Sequence, residues 1–151
     1  MSSPAPTPVL VDASAVLEWL VGAAGASFIE PFLDAEARIC AVNLGQVLYK
    51  AESVDVGLDL DVRQGLEELG IEVIDLGSRH AERFAELKRA DATAQHMRRE
   101  RKLPRRRLSL ADICCLSVAM VEHWRVLTGD SYWTELGLQL EIIDYRNPST
   151  N

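Results

Sequence analysis

Short apolar runs, set between stretches of helical periodicity, form the pattern of this chain. Val9, Leu10 and Val11 are too few for a helix and end on Asp12, so segment 9–12 predicts a buried strand. Ser14–Val21 follows as a helix with Val16, Leu17 and Leu20 on one side. A second strand is predicted at Arg38–Val42. Asn43 then serves as N-cap of a helix carrying Leu44, Val47, Leu48 and Ala51. Gly70 stops a helix over Asp59–Leu69, and Ile71–Leu76 reads as a third strand. From Ser78 a long helix is expected, because Ala81, Phe84, Leu87, Ala90, Ala94 and Met97 recur at three or four residues until Pro104 limits it. Arg125–Thr128 and Glu141–Asp144 complete the strands. Strands alternating with helices predict a three-layer α/β/α fold with a parallel sheet of four to five strands.

The run from Leu110 to Val121 is apolar on nearly every side, which marks a buried helix, yet it contains Asp112. An ionised carboxylate beside a core is costly unless something pairs with it. Ser109, Leu110, Ala111, Asp112 is also a capping-box pattern, in which the acid returns to the backbone amide of the cap, and this explains Asp112 taken alone. Asp12 and Asp130 have the same alternative, each as a cap of the segment that follows it.

The three acids together say more than each alone. All fall at predicted strand-to-helix turns, and in a parallel sheet the carboxyl ends of the strands share one crevice. Three acids facing it would repel one another unless a cation or proton neutralised them. Oxygen ligands alone favour a hard ion, Mg²⁺ or Mn²⁺, over zinc, and such an ion can orient water and stabilise a phosphoryl transition state without a protein nucleophile. That points to phosphodiester or phosphate chemistry. The other candidates are weaker. His80, His96 and His123 have no recognisable partner, Ser14 and Ser117 lack a base, no Gly-rich loop follows the first strand, and Trp19, Trp124 and Trp133 read as core or partly buried anchors.

Composition narrows the class further. A chain of 151 residues, 48% hydrophobic, suits one domain. Residues 1–8, with three prolines, read as a disordered tail, 9–146 as the domain and 147–151 as a second tail. Cys40, Cys114 and Cys115 lack metal-ligand spacing and sit in apolar surroundings, as reduced core thiols of a cytoplasmic protein. No segment reads as a signal peptide or a membrane span. The net charge of -7 argues against a generally basic nucleic-acid binder. Its distribution is uneven, however: Arg98, Arg99, Arg101, Lys102, Arg105, Arg106 and Arg107 are seven of the 16 basic residues. They read either as a locus that steers a polyanion such as RNA or as a solvated helix end followed by a loop.

The motifs Val9-Leu10-Val11-Asp12-Ala13-Ser14, Val42-Asn43-Leu44-Gly45-Gln46, Leu108-Ser109-Leu110-Ala111-Asp112 and Leu127-Thr128-Gly129-Asp130 with Trp133 resemble, in order and spacing, the PIN-domain ribonucleases, specifically VapC-type toxins of toxin–antitoxin pairs. The resemblance implies a metal-dependent endoribonuclease in which Asp12, Asp112 and Asp130 hold Mg²⁺ or Mn²⁺ near the scissile phosphate. It implies that Ser109 and Thr128 hydrogen-bond around that site, and that Asn43 fixes the helix carrying Gln46. It also implies a cognate antitoxin whose segment enters the acidic pocket, often presenting arginine, together with an RNA substrate and a homodimer.

Gln46 departs from the family, which has a glutamate there. An amide keeps the shape and one acceptor oxygen but removes a charge, which weakens cation binding and water activation. Glu52, six positions on, lies off the helical face of Gln46. A second expectation is therefore a catalytically impaired PIN-like module that binds RNA or protein. A third, a phosphoacceptor switch built on Asp12, ranks last, because Asp130 stands where such a site wants a lysine.

Overall fold

The computed structural model describes residues 7–148, and within them five strands form one parallel sheet in the order β3-β2-β1-β4-β5. β1 (Val9–Val11) is the centre, with Val9 opposite Ala37 of β2 (Ala37–Cys40) and Arg125 of β4 (Arg125–Thr128). The edges are β3 (Glu72–Ile74), beside β2, and β5 (Ile142–Asp144), beside β4. The order runs outward one way from β1 to β3 and then resumes on the other side at β4. The carboxyl ends of β1 and β4 therefore flank the point where the winding reverses, the position at which open α/β sheets bind ligands.

Alternation along each strand divides the core into two layers. Val9, Val11, Ile39 and Leu127 pack under α1 (Ala13–Leu20), α2 (Ala26–Asp34), α3 (Ala41–Val54) and α4 (Leu58–Glu68). Leu10, Cys40 and Val126 face α6 (Phe84–Glu100) and α7 (Leu110–Glu122), with α5 (Ser78–Ala81) packed against α7. The three-layer α/β/α arrangement expected from the hydrophobic pattern is the one observed. All three cysteines are buried and free, and burial pushes their thiols up from the ordinary value. Among the described residues no helix is long and apolar enough to cross a membrane. The tails expected at 1–8 and 147–151 fall mostly outside the described residues.

Three expectations need correction. Asn43 is not an N-cap: β2 ends at Cys40, whose extended backbone starts α3 without a side-chain cap, so Asn43 lies inside the first turn, fully buried. The helix expected to run on from Ser78 is interrupted at residues 82–83. There the first turn is tied down separately: His80 is buried, its Nδ1 accepts from the Gly77 amide at 2.9 Å, and Arg79 pairs with Glu122 of α7. Finally, α2 has no counterpart among the predicted elements. Gly22, Gly25 and the internal Pro31 punctuate that stretch, yet Ile29 and Leu33 are buried and Phe28 and Phe32 pack beside them, so tertiary burial outweighs the poor local propensity.

Candidate active site

Each acid is placed by the turn that bears it. Asp12 ends β1 and caps α1; its Oδ1 accepts from the Ala13 amide at 2.8 Å. Its Oδ2 accepts from the Ser14 hydroxyl at 2.7 Å and the Thr128 hydroxyl at 2.9 Å. Those hydroxyls reach onward to the end of β4: Ser14 Oγ accepts from the Gly129 amide, and Thr128 Oγ1 from the Asp130 amide, both at 3.1 Å. The Tyr145 phenol packs so closely on Gly129 that a side chain there would overlap it. Asp12 is thus a fixed point to which the turn bearing Asp130 is attached.

Asp112 sits in the capping box that the sequence predicts. The Ser109 amide donates to Asp112 Oδ2 at 2.8 Å, and the Asp112 amide donates to Ser109 Oγ at 3.1 Å. Asp130 caps a short 3₁₀ turn (Ser131–Glu135) by accepting from the Tyr132 amide at 3.0 Å, and it forms an ion pair with Arg106 at 2.6 Å. Asp12, Asp112 and Asp130 line one open cavity of about 770 Å³, shared with Gln46, Lys50, Arg106 and Arg146.

Their electrostatics register this proximity. Burial is the main cause that raises the carboxyl pKa of Asp12, which is only 6% exposed, against the opposing pull of its hydrogen bonds. For Asp112 burial again acts first, and the nearby charges of Asp12 and Asp130 raise it further. The capping role and the clustering therefore hold together.

Asn43, expected to fix the helix bearing Gln46, does contact it: Asn43 Nδ2 donates to Gln46 Oε1 at 2.9 Å and lies 3.4 Å from the carbonyl of Ala111, the residue before Asp112. Oε1 accepts that bond, and the Nε2 amide group of Gln46, a donor where a glutamate would carry charge, forms no hydrogen bond among the described residues. Glu52 accepts from the Gly57 amide at 2.8 Å at the other end of α3 and does not line the cavity.

A profile of the PIN domain matches residues 9–137. The chain belongs to the PIN-domain family. Solved structures of similar fold include VapBC2 from Rickettsia felis bound to a promoter DNA fragment (TM-score 0.66, 11% identity, covering 91% of this chain and 98% of that one). DNA-bound VapBC from Salmonella typhimurium matches at TM-score 0.66 and 15% identity over 93% and 99% of the two chains. VapC20 of Mycobacterium tuberculosis, a sarcin-ricin-loop-cleaving toxin, matches at TM-score 0.59 and 12% identity over 86% and 95%. A comparison with curated proteins returns no match.

Among the described residues no three His, Cys, Asp or Glu side chains group tightly enough to form a metal cage by themselves. Asp12 Oδ2 accepts from two hydroxyls while its Oδ1 accepts one amide and keeps a lone pair, and Asp112 Oδ1 and Asp130 Oδ2 accept no hydrogen bond among the described residues. Mg²⁺ is commonly held by one or two carboxylates while keeping several waters. A cavity with two unspent carboxylate oxygens, and acids whose charges oppose one another, fits an open, partly hydrated site of that kind.

Of the seven clustered cations, Arg106 is the one that lines the cavity. Arg98 is spent on Glu135, at 2.8 and 3.0 Å, and on the Pro104 carbonyl at 2.8 Å. Arg99, Arg101, Lys102, Arg105 and Arg107 are exposed. Sequence reasoning missed Lys50 and Arg146 in the cavity wall. Lys50, four residues after Gln46, was open to discovery by helical spacing; Arg146, beyond β5, carries no local signal.

Proposed function

We propose that this PIN domain is a VapC-type endoribonuclease toxin that hydrolyses RNA with Mg²⁺ or Mn²⁺, and that an antitoxin restrains it in the cytoplasm. The observation that carries the reading is that Asp12, Asp112 and Asp130 line one cavity at the switch point of the sheet. Asp12, Asp112 and Asp130 would hold the ion, which when bound supplies an acidified water and neutralises charge on the phosphate. The chain's own contribution is orientation. Ser14 and Thr128 fix the Asp12 carboxylate, Ser109 fixes Asp112, and Lys50, Arg106 and Arg146 supply positive charge on the cavity wall for the polyanion. A net-acid protein with an acidic pocket suits an antitoxin segment that presents arginine, and a homodimer is the assembly that goes with this reading.

Structured RNA incubated with the protein and Mn²⁺ is expected to be cut, with cleavage abolished by chelator and by Asp12→Asn. Gln46→Glu is expected to raise the rate, because a carboxylate there keeps an acceptor for Asn43 and turns a second oxygen toward the cavity. Absence of metal-dependent cleavage in both the natural chain and Gln46→Glu would remove the nuclease reading.

The neutral amide that Gln46 contributes to the cavity lining in place of a carboxylate favours one rival, a silent PIN module that binds RNA or protein without cutting. That reading expects RNA binding to persist in Asp12→Asn and RNA to stay intact with every metal.

A further inference from the structure

Asp91 is a buried acid, 8% exposed, that the chemistry above does not use. It lies on α6, on the opposite side of the sheet from α1 and α3. Its Oδ1 accepts from the Tyr132 hydroxyl at 2.6 Å, and the Leu108 amide lies 3.3 Å from both of its oxygens. Among the described residues no cation forms an ion pair with it. A buried acid held only by neutral donors is an expensive arrangement that an apolar pair of the same shape avoids.

Both donors belong to segments that deliver site acids. Leu108 immediately precedes Ser109, whose amide and hydroxyl hold Asp112. Tyr132 gives its amide to Asp130 Oδ1 while its hydroxyl goes to Asp91. One side chain thus bridges the start of α7 and the turn after β4. The Tyr132 ring also underlies two arginines, with the guanidinium of Arg106, the partner of Asp130, 5.8 Å from its centroid and that of Arg98 at 5.9 Å. Burial first, and then Asp91, push the Tyr132 phenol well above its usual range, so it remains a donor.

We infer that Asp91 is a positioning residue for the cavity: through Leu108 and Tyr132 it sets the separation of Asp112 and Asp130, the two acids with an unspent oxygen. This rests on the metal-dependent reading. Residues that orient metal ligands from behind typically change metal affinity 10- to 100-fold when replaced.

The test uses the full chain, with Mn²⁺ as the probe and no RNA present. Asp91→Asn retains the shape but turns an amide donor toward the Tyr132 hydroxyl or the Leu108 amide; Tyr132→Phe removes the hydroxyl alone and leaves the ring under the arginines. Leu66→Ala, in the opposite core layer, controls for general destabilisation. Asp91→Asn is expected to weaken Mn²⁺ binding roughly tenfold, Tyr132→Phe by less, and the double variant by no more than the stronger single. Hydrogen exchange at the Asp112 and Tyr132 amides, taken relative to amides of α3, is expected to accelerate in both variants and not in Leu66→Ala. Unchanged affinity and unchanged relative exchange in Asp91→Asn and Tyr132→Phe would overturn the inference. Should the natural chain bind no Mn²⁺, the metal reading fails by itself, and the exchange ratios still decide whether Asp91 holds the two segments in place.

Discussion

Asp12 is held where its own charge is unwelcome, and that has a measurable consequence at the scale of one residue. Burial raises its folded pKa above the ordinary 3.8, against the hydrogen bonds that pull it down, and Asp112 is shifted in the same direction. Between the unfolded and folded values the native state holds a proton that the unfolded chain has released. Stability therefore falls as pH rises through that window, and the loss is complete above the folded values. This is the reverse of a salt-bridged carboxylate, and it is the condition a bound dication relieves. Thermal melts of metal-free protein from about pH 4 to pH 8 should show Asp12→Asn losing less stability than the natural chain across that range. At neutral pH the variant should melt no lower, since the Ser14 and Thr128 hydroxyls can turn to accept from the new amide. Added Mn²⁺ should raise the melting temperature of the natural chain and leave the variant unmoved. A variant that melts lower at neutral pH and higher in acid contradicts the assignment.

At the scale of elements, the start of α7 joins stability and site, because one capping box both begins the buried helix and aims Asp112. Ser109→Ala removes the acceptor for the Asp112 amide but keeps the backbone donor to its carboxylate, so the expected cost is about 1 kcal/mol, with Ser109→Thr restoring most of it. Denaturant unfolding checks this, and equal midpoints for the alanine and threonine variants would exclude a capping role. The same box was legible in the sequence because its contacts are local, spanning positions 109 to 112. So were β1 and β4, whose apolar runs end on Asp12 and near Asp130 with no competing pattern. What stayed hidden depends on distant partners. α2 forms against local signals because Ile29 and Leu33 find a core to fill, and the break at residues 82–83 follows from ties between α5 and α7. The Arg106–Asp130 pair and the Asp91–Tyr132 bond span 24 and 41 positions, beyond the reach of any spacing rule. Asp12 and Asp130 follow β1 and β4, where the strand order reverses, as the strand-to-helix pattern predicts; Asp112 does not, because α7 follows α6 with no strand between them, and it reaches the cavity by tertiary packing instead.

Across the whole molecule the charge is strongly divided, and the division separates two kinds of arginine. The chain carries -7 overall, so at long range it repels RNA, yet residues 98–107 concentrate positive charge beside the cavity that Arg106 lines. Within that stretch Arg98 is committed to Glu135 and the Pro104 carbonyl, so it serves the protein and has little left for a phosphate. Arg99, Arg101, Arg105 and Arg107 are exposed and form no ion pair among the described residues. They are the residues through which counterion release acts. With Asp12→Asn as background to prevent cleavage, the logarithm of RNA affinity is expected to fall linearly with the logarithm of salt. Each of these four arginines that meets a phosphate should lower the slope by roughly 0.7 to 0.9 when changed to alanine. Arg98→Ala should leave the slope nearly unchanged and lower the stability instead, because it frees Glu135 and uncouples α6 from the turn after β4. Fluorescence anisotropy at several salt concentrations separates the two classes. A slope indifferent to all four exposed arginines would assign the basic stretch to solvation of a helix end and leave the cavity cations Lys50, Arg106 and Arg146 to hold the polyanion.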